Sequence, residues 1–90
     1  MLRQLGDTAA AIPLFREELA GCRTTLGDDH EDTLGSINNL ADLLQDEGRL
    51  DEAQPLLEEA LAGRRAALGD AHPDTLGSIN NLGALLKTQG

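Results

Sequence analysis

Ile37, Leu40, Ala41 and Leu44 stand three or four residues apart, while Asn38, Asp42 and Gln45 fall together on another face. At about 100° per residue this is an amphipathic helix, opened by His30-Glu31-Asp32-Thr33 and running to about Glu47. Ala11, Leu14, Phe15 and Leu19 predict a helix over about 9–25. Ala53, Leu56, Leu57, Ala60 and Leu61 predict another over about 51–67, capped by Asp51. A last helix starts at Pro73, with Ile79, Leu82, Gly83 and Leu86 expected to face inward. Glycine-bearing breaks at Gly6-Asp7, Gly27, Gly48 and Gly69 separate these stretches, because glycine is the usual residue just past a helix end. Pro13 and Pro55 are placed near the first turns of their helices, where a missing N–H costs least.

The pattern repeats. LGDDHEDTLGSINNL, from Leu26 to Leu40, returns as LGDAHPDTLGSINNL, from Leu68 to Leu82, an offset of 42 residues. With residues 1–48 laid on 43–90, 26 of the 48 pairs are identical without a gap. A period of this size marks a solenoid, in which one unit buries its apolar face by stacking on the next. Residues 1–5 match Leu43–Glu47 and predict the last turn of a helix. The expected organisation is the end of a preceding repeat over 1–27, a complete repeat over 28–69 and the first helix of the next over 70–90. Both ends fall inside a repeat, so the chain reads as part of a longer array or as a unit that stacks on copies of itself.

Composition agrees with an all-α fold. Phe15 is the only aromatic, and the remaining apolar residues are mostly Leu and Ala, both strong helix formers. Ninety residues make one domain, near the size at which a single core barely supports itself. The lone Cys22 has no internal disulfide partner, and no apolar run approaches the length of a membrane span, so a soluble, cytoplasmic protein is expected. Net charge is −9, and residues 28–52 carry −8 of it. That field repels phosphate backbones and anionic membranes; two readings remain, a surface that favours a basic partner and a solvated face that keeps the protein soluble.

The residues Ile37, Leu40, Ala41 and Leu44, followed by Ala53, Leu57 and Ala60, resemble the two helices, A and B, of a tetratricopeptide repeat. Ile79, Leu82, Gly83 and Leu86 repeat the helix A pattern; Ala11 and Phe15 repeat helix B, with Glu18 in place of its second small residue. The 42-residue period and the string GRLDEAQPLLEEAL resemble the kinesin light chain subtype. The coiled coil by which kinesin light chains join the motor is not in these residues. The resemblance implies an α-solenoid of antiparallel helix pairs in the order B-A-B-A, acting as a non-enzymatic protein-binding scaffold without cofactor. It also implies that helix A lines a concave groove, with Asn38, Asp42 and Gln45 from one repeat and Asn80 and Lys87 from the next facing a bound peptide. An asparagine suits that task because it offers both donor and acceptor to an extended backbone. The alternative is that one Asn of each pair, Asn38-Asn39 or Asn80-Asn81, ties neighbouring helices together.

Other polar residues carry less chemistry. His30 and His72 occupy the same repeat position before helix A, without metal-ligand spacing, and are read as capping or turn residues. Thr33, Ser36, Thr75 and Ser78 have twins one repeat away and no His-Asp partner, unlike nucleophiles. The slot of Cys22 holds Arg64 in the next repeat and is expected to be partly exposed. Gly21 and Gly63 lie inside helices at matching positions, where glycine costs about 1 kcal/mol against Ala, and predict close helix approach.

Overall fold

Three glycines at positive φ, Gly27 (+92°), Gly48 (+77°) and Gly69 (+91°), divide the chain into four helices. The computed structural model describes residues 5–89, with α1 at Leu5–Leu26, α2 at Glu31–Asp46, α3 at Leu50–Leu68 and α4 at Pro73–Gln89. At the end of α2 the Gly48 N–H donates to the Gln45 carbonyl at 2.9 Å and the Arg49 N–H to the Leu44 carbonyl at 2.8 Å. Together these form a Schellman stop, which a left-handed residue makes possible. The ends of α1 and α3 are copies of each other: the Gly27 N–H donates to Arg23 and the Gly69 N–H to Arg65, both at 3.1 Å. The starts of α2 and α4 are copies too. His30 Nδ1 accepts from the Asp32 N–H at 3.0 Å, and His72 Nδ1 from the Asp74 N–H at 3.1 Å. Each imidazole thus takes one of the orphan donors of a helix N-terminus.

Each helix packs on the next, α1 on α2, α2 on α3 and α3 on α4. The short connections make neighbours antiparallel, so the architecture is an α-solenoid of helix pairs in the order B-A-B-A. The core is centred on α2, whose Leu34, Ile37, Leu40, Ala41 and Leu44 are all buried. Around it lie Ile12 and Leu19 of α1, and Ala53, Leu57 and Ala60 of α3, with Leu85 of α4 closing the far side. The closest approach is at Gly63, where an added Cβ would stand 2.6 Å from Leu34 Cδ2. At its twin, Gly21, an added Cβ would meet nothing within 4 Å. The close approach expected at both glycines is therefore present at one, because the helix that would press on Gly21 has no counterpart among the described residues.

Two ion pairs tie the B helices together across the stack, Arg16 to Glu52 at 2.7 Å and Arg23 to Glu59 by two hydrogen bonds of 2.5 and 2.9 Å. Arg23 also reaches Asp28 at 3.0 Å. The hydrogen bond from Arg49, seconded by Arg16, lowers the Glu52 carboxyl below the usual range, and the Glu59 and Asp28 carboxylates raise Arg23 above its own. Solvent screening leaves exposed pairs of this kind weak. They orient the B helices more than they hold them.

Several local expectations need correction. Leu5, Gly6 and Asp7 belong to α1 rather than to a preceding helix and a turn; the rest of the expected stub, residues 1–4, lies outside the described residues. Glycine permits either conformation, and the helix-forming run Ala9–Ala11 draws this one into the helix. Pro13 and Pro55 consequently lie beyond the first turn, both exposed, so that solvent can reach the carbonyls of Ala9 and Asp51 that they leave unbonded. Asp51 sits inside α3, and the capping position is Arg49, whose side chain makes no capping bond to the helix backbone and donates instead to the Glu52 carboxylate. On α1 the buried side chains are Thr8, Ile12 and Leu19, while Leu14 is 65% exposed. On α4 Thr75, Ser78 and Leu85 are buried, Leu82 is half-buried and Gly83 exposed. Ile79 and Leu86, expected to face inward, are 38% and 45% exposed, because α4 is covered by α3 alone.

The two glycine twins should respond oppositely to one methyl group. Gly63→Ala is expected to lower the free energy of unfolding by about 1–3 kcal/mol through overpacking against the enclosed Leu34. Gly21→Ala is expected to raise it by about 1 kcal/mol through helix propensity alone. Urea unfolding midpoints of the two variants check this.

Candidate peptide-binding face

The face of α2 turned away from its core carries Gly35, Asn39, Asp42 and Asp46, none of them buried. Three- and four-residue steps keep these positions on one line along the helix. Because Gly35 has no side chain, the surface there is hollow. A cavity of about 480 Å³ lies over it, walled by Glu18, Cys22 and Leu26 of α1, floored by Glu31, Asp32, Ser36 and Asn39 of α2, and closed by Arg64 of α3.

Arg64 is the residue that builds this face. Its Nη1 donates to Ser78 Oγ at 3.1 Å and more weakly to the Asp74 carbonyl at 3.5 Å. With the Asn38 amide turned so that its oxygen faces the guanidinium, Asn38 accepts from Nη1 at 2.6 Å and Nη2 at 3.2 Å. One side chain from α3 therefore links α2 to α4 along the rim of the cavity. Its buried Nε has no partner among the described residues. In the preceding repeat, Cys22 takes the same place, with Sγ 3.7 Å from Ser36 Oγ, a weaker contact. Both side chains are half-buried.

The predicted groove residues divide between two helices. Asn38 is half-buried and, with its amide so turned, accepts from Arg64 of α3. Asp42 is exposed and Gln45 half-buried on α2, whereas Asn80 and Lys87 are exposed on α4. Asn39, the next residue and exposed, lines the cavity. Protein atoms around the Asp42 carboxyl, and then the like charge of Asp46 one turn on, raise its pKa above the ordinary carboxylate range. Arg64 was missed as a site residue. The available signal was its departure from the repeat, since it replaces Cys22 where the surrounding strings are nearly identical.

The hydroxyls have structural surroundings. Thr33 and Thr75 are fully buried, and their Oγ1 atoms have no partner among the described residues, so no substrate reaches them. Ser78 is buried against Arg64. Among the described residues no cluster of three or more His, Cys, Asp or Glu is placed to hold a metal ion. None of the described helices is long and apolar enough to cross a membrane.

A stack of antiparallel helix pairs, with a hollowed polar face on α2, defines a helical-repeat fold. The tetratricopeptide repeat family matches the chain over residues 1–32 and again over 33–74, and the protein belongs to that family. Tetratricopeptide repeats generally mediate protein–protein interaction and are typically not catalysts. A search of curated proteins gives no match.

Arg64→Ala should remove the bridge from α2 to α4 and leave the buried Ser78 hydroxyl without its donor. The expected loss of stability is roughly 2 kcal/mol. Arg64→Cys, which copies the Cys22–Ser36 contact, is expected to recover part of it. Chemical denaturation of the two variants measures both.

Proposed function

We propose that this segment binds a basic peptide of a partner protein on the polar face of α2 and α4. The observation that carries the reading is the cavity over Gly35, with the asparagine amide of Asn39 at its floor and the carboxylates of Glu18, Glu31 and Asp32 around it. An extended peptide offers backbone donors and acceptors to Asn39, while Asp42, further along the same line of α2, attracts a cationic side chain. Asn38 contributes through Arg64, and Gln45, Asn80 and Lys87 extend the contact along and across the helices. In this reading residues 28–69 form one complete repeat, 1–27 and 70–90 belong to its neighbours in a cytoplasmic array, and the 42-residue period favours the kinesin light chain-like subtype.

A second reading treats the segment as a structural spacer or self-assembling unit within a larger signalling or motor-adaptor protein. The uncovered apolar positions of α4 favour it.

Titration of labelled Lys/Arg-rich peptides separates the two. Asn39→Ala is expected to weaken binding about 10-fold, equivalent to about 1.4 kcal/mol, with helicity unchanged. The pH dependence has a defined sign. A cation prefers ionised Asp42, so affinity rises as pH increases through the raised Asp42 value and levels off above it; Asp42→Asn removes that rise. Folding responds in the opposite direction, since a carboxyl with a raised folded-state pKa is destabilising when ionised and stability grows as pH falls through the same window. Binding that is unaffected by either substitution contradicts the groove reading.

A further inference from the structure

The geometry points to a second copy of this chain as the occupant of the uncovered face of α4, docked through its α1 so that the B-A-B-A order continues unbroken from one molecule into the next. This inference gives the self-assembling reading its contact residues and stands independently of peptide binding.

The template is the contact between α2 and α3. Leu34 of α2 lies directly over Gly63 of α3, 2.6 Å from where a Cβ would stand, and is 2% exposed. One period on, the same residue of α4 is Leu76, 52% exposed; one period back, the same residue of α1 is Gly21, with open space around it. Leu76 of one molecule therefore fits on Gly21 of the next as Leu34 fits on Gly63. Ile79 and Leu86 repeat Ile37 and Leu44, and the exposed Leu14 of α1 repeats Leu56 of α3, which is half-buried. The residues left bare on α4 and on α1 are the two halves of a contact the chain already makes once internally.

The charges agree. Inside the molecule Arg23 of α1 holds Glu59 of α3. Carried forward one period, the pair becomes Arg65 of one molecule and Glu17 of the next. Arg65 is more than half exposed and held only by Asp70 at 3.3 Å, and Glu17 is exposed without a partner among the described residues. The other internal pair, Arg16 with Glu52, becomes Glu58 beside Ala10, which neither attracts nor repels. One position opposes stacking: Glu18 replaces the fully buried Ala60. Because the two faces lie on opposite ends of the molecule, the contact is heterologous and builds open stacks instead of a closed dimer.

Molar mass in solution, followed across a concentration series with helicity recorded on the same samples, tests this. The wild-type chain is expected to grow in mass with concentration. Gly21→Ala, which fills the hole for Leu76 but meets no atom within its own molecule, should keep or raise helicity while weakening assembly at least 10-fold. Glu18→Ala should strengthen assembly. Arg65→Glu should weaken it, and Arg65→Glu combined with Glu17→Arg should restore it. A constant mass of one chain at every concentration, or assembly indifferent to Gly21→Ala, overturns the inference; the first outcome would assign the α4 face to another segment or partner. Peptide titration of the Gly21→Ala monomer reports on the groove separately, so failure of one reading is not mistaken for failure of the other.

Discussion

The seating of Leu34 on Gly63 is the constraint on which the rest of the molecule depends. A glycine inside a helix is unfavourable by itself, and this one is retained where it lets two backbones approach until a leucine fills the space its side chain would occupy. That approach sets the spacing of α2 and α3. It brings Ala53, Leu57 and Ala60 against Ile37, Ala41 and Leu44, and places Arg64, the residue after Gly63, within reach of Asn38 on one side and Ser78 on the other. Packing and the polar face are thus consequences of one contact.

Arg64 shows how a repeat acquires a site. In the first unit the position is Cys22, a small side chain that lines the hollow over Gly35 from the α1 side. In the second it is a long cation that closes the opposite side and spans to α4. The hollow over Gly35 is thus lined by Cys22 from one unit and by Arg64 from the next. Acids on α1 and α2 then give the hollow its negative character, and the Asp42 pKa is raised first by burial of its carboxyl and then by the like charge of Asp46.

Much of the fold was legible in the sequence because repetition marks both turns and helix faces. The stops at Gly27, Gly48 and Gly69, the histidine caps and the buried stripe of α2 all follow from local pattern. What the pattern could not supply was the neighbour. Ile37 and Ile79 have the same sequence context, yet one is fully buried and the other partly exposed, since α2 lies between two helices and α4 beside one. Gly21 and Gly63 diverge for the same reason. At the site, Asn38 and Asn39 were separable only after Arg64 had a position, because an arginine about four turns into the next helix can reach either or neither.

Hydrogen exchange, resolved by residue at a concentration where the chain is a single molecule, tests the central claim that α2 and α3, each packed between two helices, form the contact around which the outer helices assemble. The account predicts the slowest exchange in α2 from Ile37 to Leu44 and in the part of α3 from Leu57 to Gly63, with α4 and the N-terminal half of α1 opening earlier. Protection in α4 equal to that in α2 under those conditions would contradict it.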